Sequence, residues 1–392
     1  MSYLKTLRKD LRVENKKVLV RCDFNVRISE NGEISDDYKI RQTLPTIKYL
    51  LTKGAKIILL SHRGRPGGVR DERYTLKPVA QRLSKLLGRE VHFLPDCIGD
   101  EVRNKVEGLG QGEIVLLENV RFHKEEEKGD IAFARELARL ADVYVGDAFA
   151  VAHRDHASVS KVPRMIPAGA GFLMEKEIEV LSQISEEPRH PLVVIIGGIK
   201  ISTKIALIEK FLMKADHLLL GGEIAVALLK AKGIALGGPC LEKNVIDRIK
   251  RIDLTDPSLH LPVDAMVCLG NLEEGYIRCT AIGNVRKEEK VFDLGPETVK
   301  LFSQIIKEGK TIFWNGPLGY FEDERFANGS LAIADAIIKS KAFSVAGGGE
   351  TNDFLARYDL RRWFSYVSTG GGAMLAFLSG ETLPGIEALL EK

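Results

Sequence analysis

Five cysteines are scattered through the 392-residue sequence, Cys22, Cys97, Cys240, Cys268 and Cys279, with no CxxC pair and no metal-ligand spacing. An odd, dispersed set excludes a disulfide framework and suits buried thiols in a reducing compartment. No run reaches the roughly 18 uncharged apolar residues that a membrane-spanning helix needs. The N-terminal MSYLKTLRKDLRVENKK lacks the apolar core of a secretory signal, so a cytoplasmic protein is expected. Excess charge is scarce too: the formal net charge of +3 is too small to argue for nucleic acid or a membrane surface as partner. A GxxxxGK loop followed by Ser or Thr is missing, which excludes a P-loop kinase, and no GxGxxG follows the first strand, which weighs against a nicotinamide dehydrogenase.

What is present is the balance of a globular protein, 45 % hydrophobic and 28 % charged, long enough for two domains. Short runs rich in Val, Ile and Leu recur: KVLVR (17–21), KIILLS (56–61), IVLLEN (114–119), VYVGD (143–147), LVVIIGG (192–198), HLLLGG (217–222), TIFWNGP (311–317), FSVAGGG (343–349) and SYVSTGGG (365–372). Continuous rather than alternating apolarity marks strands covered on both faces. Amphipathic segments separate them. In TLKPVAQRLSKLLG, Thr75 is the expected cap, Leu76, Val79, Ala80, Leu83, Leu86 and Leu87 form one apolar face, and Gly88 is the stop. Alternating strand and helix predicts an α/β fold with a mainly parallel sheet, whose ligands lie beyond the carboxyl ends of the strands. The stretch 168–191, glycine-rich, then charged, then bracketed by prolines, is the expected boundary between two halves of similar size.

The first half concentrates basic and amide side chains at strand ends: RCDFNVR (21–27), SHRGRPGG (61–68), ENVRFHKEEE (118–127) and DAFAVAHRDH (147–156). Singly, each of Arg63, Arg65, Arg121 and Arg154 is most simply a solvated loop residue. Four at one sheet edge suit a small anion, because guanidinium pairs bidentately with phosphate and carboxylate. The second half offers glycine-rich strand ends and two lysines, Lys200 and Lys204, expected on one face of a helix's first turns. Bare backbone N–H groups at a helix N-terminus cradle phosphate, so the twin triple-glycine turns read as parts of a nucleotide site. His153 and His156 lack a third ligand of suitable spacing for zinc. Glu118 with Glu125–Glu127 admits a glycosidase reading, but the EEE run is more simply a solvated helix face. An anion-binding half beside a nucleotide-binding half suits phosphoryl transfer, with closure that excludes water.

From about residue 5 onward the sequence closely resembles the phosphoglycerate kinase family. The resemblance is carried in order by RCDFNV, SHRGRPGG, LLENVRFHKEEE, DVYVGDAFAVAHR, GGIKISTK, WNGPLGYFE, GGGET and VSTGGGAMLAFLSGETLPGIEAL, among others. It implies two doubly wound, Rossmann-like parallel-sheet domains joined by a helix and hinge. Residues 1–170 with about 375–392 would bind the glycerate, residues 171–374 the nucleotide, with an interdomain helix at about 171–186. The implied activity is reversible phosphoryl transfer from 1,3-bisphosphoglycerate to Mg-ADP, giving 3-phosphoglycerate and Mg-ATP, by a monomer. On the substrate side it implies Asp23, Asn25, Lys39, His62, Arg63, Gly64, Arg65, Arg121 and Arg154. The implied nucleotide residues are Lys200, Lys204, Gly295, Glu322, Gly348, Gly349, Glu350 and Thr351, with Glu350 holding Mg2+. Catalytic roles fall to Lys39, Lys204, Gly349 and Gly372.

Several positions depart from the family pattern. Lys39 stands where the family has arginine, which keeps the charge but loses the planar fork; Arg41, two residues on along a helix, points elsewhere. Glu350 replaces aspartate, Glu223 replaces a glycine, and Arg27, Arg63 and Gly146 replace proline, leucine and asparagine. Asp155, beside Arg154, either pairs with it or faces solvent. The alternative reading is a diverged nucleotide-binding paralogue with weak or no kinase activity.

Overall fold

The computed structural model describes residues 3–29, 31–234 and 243–391; Cys240 lies outside them. The chain divides into two compact units, Met1–Glu179 with Gly372–Lys392, and Val180–Gly371. The division falls within the helix Phe172–Ser185.

The first unit is built on β1 (Lys17–Cys22), β2 (Lys56–Leu60), β3 (His92–Phe93), β4 (Ile114–Leu116), β5 (Val143–Asp147) and β6 (Ala168–Ala170). They form one parallel sheet in the order β3-β4-β2-β1-β5-β6. Its central strands are buried on both faces: Val18, Leu19, Val20, Ile57, Ile58 and Leu59 have no exposed surface, which is why they read as unbroken apolar runs. The C-terminal segment returns to this unit, where Lys5 N–H donates to Leu389 O and Gly385 N–H to Ala152 O.

The helix predicted after Thr75 spans Lys77–Leu87, buries Val79, Ala80 and Leu83, and stops at Gly88 with φ +65°. Thr75 is not its cap. Its hydroxyl donates to Glu118 Oε2 at 2.6 Å and accepts from Lys77 N–H at 3.3 Å, one residue ahead of the capping position at Leu76. The hydroxyl donates to the buried carboxylate while accepting from the first helical N–H.

The second unit holds β7 (Leu192–Ile196), β8 (His217–Leu220), β9 (Leu259–His260), β10 (Asp264–Leu269), β11 (Tyr276–Ala281), β12 (Glu289–Leu294), β13 (Thr311–Asn315), β14 (Phe343–Gly347) and β15 (Tyr366–Val367). Six of them form a second parallel sheet, β15-β14-β13-β7-β8-β9. The other three form an antiparallel sheet, β11-β10-β12, which the sequence reading did not anticipate. Tyr276 and Cys279 on β11 are exposed, so the strand lacks the apolar run that marks the parallel ones.

Candidate functional site

In the first unit, the carboxyl ends of β1, β2 and β4 carry most of the expected anion-binding residues. Asp23 follows β1, is buried, and accepts from Asn25 N–H at 3.0 Å and from the Lys39 ammonium at 2.7 Å. Burial pulls the Asp23 carboxyl up, but Lys39 pulls it further down, to about 2. Lys39 stands in the first turn of the helix Tyr38–Thr52, while Arg41 is held away by Asp37 at 2.8 Å. Asn25 Oδ1 accepts from Gly64 N–H at 2.9 Å, and Arg121 Nη1 donates to Gly64 O at 2.8 Å. Gly64 has φ +66°, and a Cβ there would lie 2.3 Å from the Tyr74 ring, so the turn linking Asn25 to Arg121 admits no side chain.

His62 follows β2 and is buried with Arg21 Nη2 3.4 Å from its Nδ1. Arginine only donates, so hydrogen-bond logic makes Nδ1 the acceptor and leaves the ring proton on Nε2. Burial and the Arg21 charge hold the imidazole well below its ordinary range, so His62 is neutral at pH 7. Arg65 and Arg154 are exposed. Asp155 turns from Arg154 to Lys161, 2.7 Å away.

Arg63 corrects the sequence reading. It is buried, its Nε donating to Val26 O at 3.2 Å and its Nη1 to the carbonyls of Arg73 and Thr75. Its guanidinium is engaged by the loop it shapes, leaving little for a ligand. The EEE run needs correction as well. Glu127 is exposed and pairs with Arg121 at 3.1 Å, but Glu126 has no exposed surface and accepts from Ser158 N–H at 2.8 Å and Ser158 Oγ at 2.6 Å. Glu118 is buried on Thr75 and Leu76 N–H, which removes it from any catalytic carboxylate pair.

The second unit gathers its residues at the carboxyl ends of β7, β13 and β14. Lys204 is buried and donates to Gly197 O at 2.6 Å. A Cβ on Gly198 would lie 3.0 Å from the Lys204 Nζ and 2.7 Å from Glu350 Oε2, and one on Gly316 would lie 2.6 Å from that Nζ. Glycine backbone therefore wraps the ammonium and leaves room for Glu350 beside it. Burial lowers Lys204 to about 8 against the opposing pull of Glu350. Lys200 does not share a helix face with Lys204, contrary to expectation. It is exposed ahead of the 3-10 turn Ile201–Thr203, and the helix Ile205–Leu212 begins only after Lys204.

Gly348, at φ +108°, follows β14, and Gly349 opens the helix Gly349–Arg357. A Cβ on Gly349 would meet nothing within 4 Å, so the space on that side of the helix start is open. Thr351 is buried and its Oγ1 accepts from Gly316 N–H at 2.7 Å, locking this helix to the turn after β13. Gly372 likewise opens the helix Gly372–Ser379, in the first unit. A cavity of about 540 Å³ is lined by Gly198, Glu223, Leu272, Tyr320, Glu322 and Glu350, among others. Gly295 is not in its lining; the Asp264 carboxylate occupies the space where its Cβ would be. Burial raises Glu223 above the ordinary carboxylate range.

Residues that sequence reasoning missed form a buried network behind His62. Arg21, inside β1, donates through Nε to Ser158 Oγ at 2.8 Å and through Nη1 to Cys22 O, with Nη2 3.9 Å from Glu126 Oε1. The available signal was an arginine within a strand otherwise apolar from Val18 to Cys22. Among the described residues, the His, Cys, Asp and Glu side chains grouped closely enough for a metal are Asp96, Cys97 and His123, not the pair in HRDH.

Comparison with known proteins gives a consistent result. The family model described as phosphoglycerate kinase matches residues 8–381. The phosphoglycerate kinase of Pseudothermotoga lettingae is 45 % identical over 390 residues, 98 % of each chain. That of Pelotomaculum thermopropionicum is 45 % identical over 392 residues, 99 % of each. The solved phosphoglycerate kinase of Coxiella burnetii superposes with a TM-score of 0.86 at 39 % identity, covering 99 % of each chain.

Proposed function

The chain belongs to the phosphoglycerate kinase family, and from that premise we propose which of its residues carry the reaction. It is a phosphotransferase of nucleotide substrates, moving a phosphoryl group between 1,3-bisphosphoglycerate and ADP to give 3-phosphoglycerate and ATP. Nothing in the comparisons favours the non-catalytic alternative.

In this proposal the glycerate lies on the first unit. Arg65, Arg121 and Arg154 hold its phosphate and carboxylate, His62 donates from Nε2, and Asn25 and Gly64 fix the loop on which Arg121 depends. Lys39 neutralises charge on the transferring phosphoryl, its ammonium aimed by Asp23 at 2.7 Å. Arg63, although in the matching motif, builds the loop instead. The nucleotide lies in the cavity of the second unit, with Glu322 accepting from ribose hydroxyls. Gly348, Gly349 and Thr351 present helix N-terminal backbone to its phosphates, as Gly372 does for the transferring group. Lys200 contacts the nucleotide phosphates from the surface and Lys204 neutralises the transferring phosphoryl. Gly295, at the start of the helix Pro296–Glu308, belongs to the same nucleotide set although it does not line this cavity.

Mg2+ is the proposed metal, and the residues present fit it: Glu350 lines the cavity with an exposed carboxylate, and Mg2+ needs few protein ligands beside phosphate and water. When bound, the ion supplies charge neutralisation on the nucleotide phosphates. Cytoplasmic location and a monomeric state belong to the same proposal, following the family.

The observation that carries this reading is the Lys204 ammonium, buried in glycine backbone beside Glu350, where Gly198 and Glu350 also line the cavity of about 540 Å³. Turnover with 3-phosphoglycerate and Mg-ATP, for wild type beside Lys39→Arg and Lys204→Ala, tests it. Robust wild-type turnover that collapses in Lys204→Ala is expected, with Lys39→Arg changing it modestly. Undiminished turnover in Lys204→Ala would overturn the assignment.

A further inference from the structure

In the first unit, segment 94–97 leaves β3 and segment 117–123 leaves β4, and the two meet at three unlike metal-ligating side chains. Asp96, Cys97 and His123 each offer a ligand atom, all within 4.8 Å of one another. His123 Nε2 is 2.7 Å from Asp96 Oδ1. The Cys97 thiol is fully buried behind them, while the Asp96 and His123 side chains are 49 % and 25 % exposed, leaving a path for an ion. We propose that Asp96, Cys97 and His123 form a binding site for a thiophilic divalent cation, Zn2+ by its chemistry, separate from the nucleotide metal.

Two arguments support it. The donor set joins a thiol, an imidazole and a carboxylate, which Zn2+ accepts together in tetrahedral geometry with water in the fourth position, whereas Mg2+ and Ca2+ avoid sulfur. The ligands are also anchored. Cys97 N–H donates to Asp96 Oδ1 at 2.6 Å, His123 N–H donates to Val120 O at 3.2 Å, and the His123 ring lies 5.2 Å from that of Phe133.

On binding, Zn–S, Zn–N and Zn–O bonds form, the Cys97 S–H bond breaks and its proton is released to solvent, and the His123 proton shifts by way of solvent from Nε2 to Nδ1, freeing Nε2 as the ligand. The His123–Asp96 contact opens to admit the ion. Occupancy ties the segment after β3 to the turn Val120–Phe122 that carries Arg121, so the ion stabilises the loop from which, on the proposed function, the glycerate is held.

The test titrates nucleotide-free, chelator-stripped full-length protein with Co2+ as a spectroscopic probe and with Zn2+ by calorimetry. A thiolate-to-cobalt charge-transfer band and one tight Zn2+ site are expected. Cys97→Ser should abolish the band, and both it and His123→Asn should raise the Zn2+ dissociation constant at least about tenfold and remove the Zn2+-induced rise in Tm. Because His123 is partly exposed, its variant keeps the test valid if Cys97→Ser fails to fold. Absence of a thiolate band, or a band that survives in Cys97→Ser, would overturn the proposal. Loss of the glycerate assignment would leave the Co2+ spectrum untouched, so the two readings fail separately.

Discussion

At the scale of the residue, charge is placed where its surroundings set its state. Asp23 titrates at 3.8 ordinarily and at about 2 in the folded chain. The unfolded chain therefore binds the proton first as pH falls, and the stability that the Asp23 carboxylate contributes through its partners together is complete above about pH 4 and lost toward pH 2, about 2 kcal/mol by linkage. Urea unfolding at about pH 5 and pH 2.5 should show a shallower loss of stability in Asp23→Asn than in wild type. Lys204 runs the other way in the alkaline range. It gives up its proton near 8 rather than 10.5, so kcat/KM for ATP should fall as pH rises through about 8, an alkaline limb reporting the free enzyme. Lys204→Arg, which stays charged, should remove that limb. Lys39→Ala should lower kcat about 10²-fold, the usual cost of removing one charge-stabilising donor.

Elements explain both what was legible and what was not. The two parallel sheets were visible because strands such as Leu192–Ile196, buried at every position, must be apolar throughout. The antiparallel sheet was not, because β11 has only Thr280 buried and a polar, exposed strand resembles a loop. Lys204 was legible as chemistry after GGIK, but its burial depends on Gly316 from a distant strand end, which no local pattern reveals. Arg63 was misread for the same reason: its partners, Val26, Arg73 and Thr75, are brought to it by folding. The turn at Gly64 makes the same point by experiment. Its φ of +66° and the nearby Tyr74 ring mean that Gly64→Ala must distort the link between Asn25 and Arg121. The KM for 3-phosphoglycerate should rise by about 10²-fold, as misplacement near a reacting centre does, while the ATP KM stays within about twofold.

For the whole molecule, two buried carboxyls set a slope at mild pH. Burial raises Asp147, which accepts from Leu173 N–H at the start of the helix Phe172–Ser185, to about 7, and Asp293 in the second unit also to about 7. Folded pKa values above the unfolded ones mean that this stability is present below about pH 4 and lost as pH rises through 7. The urea midpoint should accordingly fall between about pH 5 and pH 8, and Asp147→Asn with Asp293→Asn should flatten it. The central claim, however, is a division of labour, with the glycerate on the first unit and the nucleotide on the second. Arg65 is exposed, so Arg65→Ala should leave the fold intact, and Lys204→Ala removes the buried cation of the other unit. Calorimetric titration of both variants with 3-phosphoglycerate and with Mg-ATP is the direct test. The account predicts that Arg65→Ala weakens 3-phosphoglycerate binding while sparing ATP, and that Lys204→Ala weakens ATP binding with little effect on the glycerate. Equal weakening of both ligands by both variants would contradict it.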